Sequence, residues 1–331
     1  MALTILEKGF AATVQDLGRS GYQRFGIIVG GVMDPPAAKL ANWLVANPET
    51  AALIEFSFMG PSVLFTDDTL FAVTGADCCP ELNGRKIHTG KPYLARVGQI
   101  LAIRGLVSGS RGYLAVSGGV DTPVWFGSRS TYMRAGMGGY KGRLLVEHDR
   151  IPVGKPSRLA EKLMGSITGS DFGERWFFSL RRIYHGIHTI RVMPDTLWAR
   201  FTEQSRTAFL NEEYQVTASS DRMGYRLEGE ALALSEPLEM YSEAVTNGSI
   251  QVPPGGQPII LMTDHQSTGG YPRIAQVASV DLPLLAQLPP NSRIIFQKIS
   301  VEEAENLLLR KQDYLKVLRK RVTQKLESLV P

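Results

Sequence analysis

Short apolar runs alternate with polar positions along most of this chain, and glycine and proline interrupt them at close intervals. The alternation predicts strands over residues 3–7, 62–65, 69–74, 99–103, 111–116, 189–192, 214–217, 259–262 and 293–298. Helical spacing is scarce. Asp34 is a good N-cap with Pro35 at the first helical position, and Leu40, Ala41 and Leu44 carry a helix that Asn47-Pro48 stops. A second helix is predicted over 195–210, burying Leu197, Phe201 and Phe209. A last one covers 301 to about 326, with Leu307, Leu308, Tyr314, Leu315 and Leu318 at helical spacing.

The pattern therefore predicts a mainly β protein with few helices and a C-terminal helix. We expect a β domain over 1–150, a connector over 151–186 that includes Gly165-Ser166-Ile167-Thr168-Gly169-Ser170, a second β domain over 187–300, and the helix over 301–331. Each half carries a Gly-Gly pair, Gly118-Gly119 and Gly269-Gly270, but no fixed period marks a repeat. Gly118-Gly119 is expected to make a tight turn, and Met33, Met223 and Met262 to fill cores.

Composition adds limits. With 331 residues there is room for one large domain or two of ordinary size, and 33 glycines and 19 prolines agree with many turns. The formal charge is only +4, and much of the basic excess lies in Arg310, Lys311, Lys316, Arg319, Lys320, Arg321 and Lys325, opposed by Asp313 and Glu327. Without stacking aromatics between them, these residues suit a solvated helix face or a partner contact better than nucleic acid. The two cysteines, Cys78 and Cys79, are adjacent and build no disulfide framework, which fits a reducing compartment. Leu3-Thr4-Ile5-Leu6 lacks the flanks of a signal peptide, and no run approaches the ~20 apolar residues of a membrane span. A cytoplasmic protein without membrane contact is expected.

Familiar chemical motifs are missing. Gly138-Gly139-Tyr140-Lys141-Gly142-Arg143 lacks the spacing and hydroxyl of a P-loop, and Arg134-Ala135-Gly136-Met137-Gly138-Gly139 does not sit in a strand-to-helix dinucleotide turn. No G-x-S-x-G elbow appears, and no Ala-Met-Lys-Met segment offers a biotin attachment lysine. On a strand, His185 and His188 point to opposite faces, while His88 and His148 stand alone as surface residues, so no metal site is expected. ATP or carrier chemistry is expected from another polypeptide.

Chemistry-bearing residues concentrate between 219 and 273. Ser219-Ser220-Asp221-Arg222-Met223-Gly224-Tyr225-Arg226 is followed by Glu243, Gln251, and Asp264-His265-Gln266-Ser267-Thr268-Gly269-Gly270-Tyr271-Pro272-Arg273. Polar groups this dense among glycines mark a site where backbone approaches a ligand. Asp221 and Arg222 also suit a capped turn with a local ion pair. Asp16 and Arg19 are candidates for a turn ion pair or a subunit interface, and Asp34 for a cap.

These segments, taken with Thr13-Val14-Gln15-Asp16-Leu17-Gly18-Arg19, Gly30-Gly31-Val32-Met33-Asp34, Glu55, Val73-Thr74-Gly75-Ala76-Asp77, Arg111-Gly112-Tyr113 and Phe126-Gly127-Ser128-Arg129-Ser130-Thr131, closely resemble the KipA family. That family is also called the 5-oxoprolinase C-subunit family, biotin-dependent carboxyltransferase-related, or allophanate hydrolase subunit 2-like. The resemblance covers nearly all of residues 3–300. It implies two cyclophilin-like β-barrel domains and a hetero-oligomer with a KipI-like B-subunit and a LamB/YcsF-like A-subunit. It also implies ATP-dependent conversion of 5-oxoproline to glutamate, with ATP and Mg2+ bound largely by the partners, no covalent cofactor, and no activity in this chain alone. Two alternatives go with the resemblance: a carboxyltransferase-type subunit for urea or another amide, and a regulator that binds a KipI-like kinase inhibitor without turnover.

A small polar amide suits the residues themselves. Arg222 and Arg226 are assigned as anion clamps. Glu243 or Asp264 would accept a proton or orient water. Thr268, Gly269 and Gly270 would supply oxyanion donors, Gln251 would bind substrate, and Tyr271 would cap the pocket.

Overall fold

The computed structural model describes residues 1–167, 169, 176–180, 184 and 186–330. Thr168 and Ser170 of the predicted connector, and His185, lie outside the described residues. The protein is mainly β and divides into two compact units: Met1–Arg19, Asp34–Arg182 and Tyr314–Pro331 form one, Ser20–Met33 and Ile183–Asp313 the other.

The first unit holds a nine-stranded sheet of β1 (Ala2–Glu7), β2 (Ala11–Gln15), β3 (Leu53–Ser57), β4 (Ser62–Phe65), β5 (Thr69–Leu82), β6 (Arg85–Lys86), β7 (Pro92–Ala95), β8 (Ile100–Val116) and β9 (Arg150–Pro152). The segments 99–103 and 111–116, expected as separate strands, are the two ends of the 17-residue β8. Its glycine- and serine-rich middle reads as a loop, yet it pairs with β5, whose register shifts at Gly75/Asp77, Asp77/Cys78 and Cys78/Pro80. Val14, Ile54, Phe71, Val73, Leu114 and Val116 build the apolar core.

The other face of this sheet is polar and also buried. Thr13 lies opposite Glu55, Glu55 opposite Tyr113, and Tyr113 opposite Thr74, with all four at most 5% exposed. Helix α1 (Pro35–Leu44) packs on β5 and β8 and satisfies this row. The Asp34 N–H donates to the Tyr113 hydroxyl (2.8 Å), and the Thr74 hydroxyl donates to the Ala37 carbonyl (2.7 Å). Burial, then Glu55 and Asp34, push the Tyr113 phenol well above its ordinary range. Asp34 caps α1 by accepting from the Ala37 N–H at 3.2 Å. Asp16 accepts from the Gly18 and Arg129 N–H groups and from the Ser128 and Ser130 hydroxyls, and buried Arg19 donates to the Ser130 carbonyl. Gly118 has φ 88°, and a Cβ there would collide with the Gly154 carbonyl, so the pair Gly118-Gly119 serves a turn.

A second helix of this unit, α2 (Arg158–Ser166), falls inside the stretch expected as connector and is capped by Ser157, whose hydroxyl accepts from the Ala160 N–H. Both cysteines are free. Cys78 is buried, which pushes its thiol up to about 12, and Cys79 is exposed.

The second unit is a closed barrel. Its strands β10 (Ile187–Pro194), β11 (Tyr214–Val216), β12 (Gly224–Glu228), β14 (Ser249–Gln251), β15 (Ile259–Leu261), β17 (Arg273–Val277) and β18 (Arg293–Lys298) run in the order β10-β17-β14-β15-β12-β11-β18. Two further segments, β13 (Glu243–Ala244) and β16 (Thr268–Gly269), form a ribbon of their own. Ile190, Phe209, Tyr214, Tyr225, Leu227, Ile250, Ile260, Ile274 and Phe296 fill the core, where the Phe209 and Phe296 rings stack at 4.3 Å. Met33 and Met262 belong to it, as filler. The helix expected over 195–210 is two pieces, a 3-10 turn at Trp198–Arg200 and α3 (Glu203–Asn211). Phe201 turns extended to bridge Leu234, and Thr202 restarts the helix by accepting from the Ser205 N–H. The short α4 (Leu282–Leu285) follows, and the C-terminal α5 (Val301–Glu327) is 27 residues long.

Candidate functional site

Strand register in the second unit decides which polar side chains meet. Tyr225 and Leu227 enter the barrel core, so Arg226 between them faces outward. Arg226 lies opposite Ile259, Ile259 opposite Gln251, and Gln251 opposite Arg273. One row thus crosses β12, β15, β14 and β17. With neighbouring strands about 4.8 Å apart, the backbones at Arg226 and Gln251 are roughly 10 Å apart. A bulge between Ile250 and Gln251 adjusts the last pairing.

The β13–β16 ribbon reaches this row. Glu243 lies opposite Gly269 in the ribbon, and its Oε2 stands 2.9 Å from Arg273 Nη2. Gly269 packs against Gln251 so closely that a Cβ there would collide with the amide Nε2. Glycine is needed at 269 for space, since neither Gly269 nor Gly270 has a left-handed φ. Thr268 and Tyr271 are exposed at the ribbon's end.

Arg273 is the hub. Its Nε donates to Asp195 Oδ2 at 3.1 Å while Nη2 holds Glu243. Burial disfavours its charge, but Asp195 and then Glu243 outweigh this and hold its pKa above the ordinary value. Its Nη1, and Nε2 of Gln251, are buried and make no hydrogen bond among the described residues.

Arg222 and Asp264, both in turns outside the strands of this row, form a separate pair. Arg222 Nε donates to Asp264 Oδ2 (2.8 Å), and Nη2 donates to Oδ1 (2.9 Å) and to the Gly31 carbonyl (2.6 Å). Arg222 lies in the turn before β12, whereas Arg226 is on the strand itself. Asp221 makes the local turn, its Oδ1 accepting from the Met223 and Gly224 N–H groups.

The structure therefore brings Glu243, Gln251 and Gly269 together, with Thr268 on the same ribbon and Arg226 in the same row. Arg222 and Asp264 hold each other elsewhere, and Gly270 and Tyr271 are exposed beyond the ribbon. Two residues gain a place that the sequence did not assign. Asp195, 78 residues from Arg273, carries no local signal. His265 is buried beside Asp264 with Nδ1 2.6 Å from the Gln266 carbonyl. Burial pulls its pKa below the ordinary value, against that hydrogen bond and Asp264. Among the described residues, no group of three or more His, Cys, Asp or Glu is placed to hold a metal ion.

Comparison with known proteins completes the picture. Residues 25–298 match the family described as carboxyltransferase domain, subdomain A and B. Over 316 residues, 96% of this chain and 97% of the relative, the sequence is 38% identical to the 5-oxoprolinase C-subunit of Escherichia coli (strain K12). It is likewise 38% identical to the 5-oxoprolinase C-subunit of Haemophilus influenzae over 324 residues, 98% of this chain and 99% of that protein. The crystal structure of the K. lactis urea amidolyase aligns over 95% of the chain with a TM-score of 0.83 and 28% identity, and the chain spans only 20% of that protein. The chain belongs to the carboxyltransferase-domain family, among its KipA-like members of the 5-oxoprolinase C-subunit type.

Proposed function

We propose that this chain is the C-subunit of an ATP-dependent 5-oxoprolinase, opening 5-oxoproline to glutamate together with a KipI-like B-subunit and a LamB/YcsF-like A-subunit in the cytoplasm. The observation that carries it is the 38% identity, over nearly the whole length of both chains, to two proteins bearing that subunit's name. The chain has no P-loop, so ATP and Mg2+ are assigned to the partner subunits and no covalent cofactor to this one. The geometry supports amide chemistry at the outer row of the second unit. Glu243, half-exposed and fixed by Arg273, accepts a proton or orients water. The Arg226 guanidinium has no hydrogen bond or ion pair among the described residues and suits the ring carboxylate. Thr268 to Gly270 and Tyr271 border the same place. Arg222 and Asp264, which already satisfy each other, serve as a brace.

Reconstitution tests this. The chain alone should release no glutamate from 5-oxoproline, and adding both partners with ATP and Mg2+ should start release. A reconstituted set that is inert on 5-oxoproline but consumes urea and bicarbonate with a biotinylated carrier would favour a urea carboxyltransferase. The likeness to the urea amidolyase structure is the specific observation behind that second reading.

A further inference from the structure

Two buried donors, Arg273 Nη1 and Gln251 Nε2, belong to cross-strand neighbours and make no hydrogen bond among the described residues. Gln251 is only 2% exposed. Buried donors are rarely left unpaired in native proteins, so this pair calls for an acceptor. The surrounding charge decides which kind. One guanidinium here faces two carboxylates, Asp195 and Glu243, leaving the cluster one charge negative. A further anion would be repelled, whereas a neutral carbonyl oxygen takes both donors and adds no charge.

Beside the donors stands a defined acceptor. Arg273 occupies Oε2 of Glu243, and Oε1 has no partner among the described residues. The half-exposed Glu243 and the exposed ribbon end put this carboxylate at the solvent edge, with the two donors covered behind it. Such a site matches a group that shows C=O and N–H along a single edge. Open-chain secondary amides are trans and put these two groups on opposite sides. A lactam ring is locked cis, and urea carries an N–H syn to its oxygen.

We infer that Gln251, Arg273 and Glu243 form a receptor for the neutral cis-amide edge of a small lactam or urea. The carbonyl oxygen sits on Gln251 Nε2 and Arg273 Nη1, and the N–H sits on Glu243 Oε1. This deepens the proposed amide-opening function and rests on it for its setting. The two side chains supply the oxygen's donors, while Thr268–Gly269 stays an extended strand with no left-handed glycine to shape a backbone nest. Negative charge growing on the carbonyl oxygen during ring opening strengthens both hydrogen bonds.

The test is ligand-observed NMR titration of the full-length chain, repeated on the reconstituted complex. The probes are 2-pyrrolidinone, urea, N-methyl-2-pyrrolidinone, N-methylacetamide and acetate. We expect 2-pyrrolidinone and urea to compete for one site. N-methyl-2-pyrrolidinone, which lacks the N–H, trans N-methylacetamide and anionic acetate should each bind at least about tenfold more weakly than 2-pyrrolidinone. Gln251→Glu keeps the shape but replaces a donor with an acceptor, and it should weaken 2-pyrrolidinone by about tenfold or more. Gln251→Met serves as a second variant, and the probe series on the unmodified chain decides if neither folds. Equal affinity for the N-methylated lactam, undiminished affinity in folded Gln251→Glu, or no lactam binding to either chain or complex would overturn the receptor. Glutamate release by a complex whose lactam binding ignores Gln251 would sink the receptor and keep the function. Selective lactam binding without glutamate release would do the reverse.

Discussion

Arg222 and Asp264, 42 residues apart in sequence, hold each other through two parallel hydrogen bonds of 2.8 and 2.9 Å. The Asp264 N–H returns to the Arg222 carbonyl at 2.8 Å, so backbone and side chains lock the same two positions. Their side chains are 18% and 11% exposed. Removing one partner of such a pair leaves the other charge poorly solvated. Arg222→Ala should therefore cost roughly 2–3 kcal/mol in urea denaturation, slightly less than a fully buried pair. Activity per folded molecule should stay within about twofold. Lost turnover with unchanged stability would move Arg222 onto the substrate.

Glu243 should behave in the opposite way. Its side chain is 53% exposed, so Glu243→Gln should shift stability by no more than about 1 kcal/mol. Turnover by the reconstituted complex should fall roughly a hundredfold or more, the usual loss for a general base. Full activity in the Gln variant would exclude Glu243 from proton transfer.

The contact of Gly269 with Gln251 predicts a coupled pair. Gly269→Ala puts a Cβ onto the Gln251 amide and should cost about 1–3 kcal/mol. In Gln251→Ala that obstacle is absent, so the double variant should be more stable than the sum of the single losses allows. Simple additivity in a thermal-melt cycle would mean that the ribbon does not press on Gln251.

His265 predicts a pH dependence with a definite sign. Burial holds its folded pKa below the ordinary value of 6.5, so between the two values the unfolded chain binds more protons. Its contribution to stability is complete above pH ~6.5 and is lost as pH falls through the lower folded pKa. Melting temperature should drop from pH 7 toward pH 5, and His265→Gln should flatten that part of the curve. An unchanged slope in the variant would show that His265 is not the titrating group.

Much of the scaffold is legible in the sequence because its signals are local. Ser62–Phe65 and Arg293–Lys298 emerge as strands over the residues that alternation marks, and Asp34-Pro35 starts α1 where the capping rules place it. Alternation fails where both faces of a strand are buried. Ala11–Gln15 carries Thr13 and Gln15 on a polar face that is itself buried, and it does not read as a strand. The same contrast runs through the site. The density of polar residues between 219 and 273 locates the wall, but residue type alone assigns Arg222 and Arg226 the same role. Only the fold separates an arginine in a turn, engaged with Asp264, from one that β12 turns outward. The hub depends on Asp195, whose partner Arg273 is 78 residues away, and no spacing rule reaches that far.

The strip Ser20–Met33 counts with the second unit although it lies between segments of the first. Synthesis from the N-terminus therefore yields this strip long before the barrel strand that closes at Lys298 exists. Met33 must wait for its core, and Gly31 for the arginine that takes its carbonyl. A gene cut between the two β regions would encode a C-terminal half without this strip. Separating the halves would leave an incomplete barrel unit, so this protein is unsuited to dissection at its apparent midpoint.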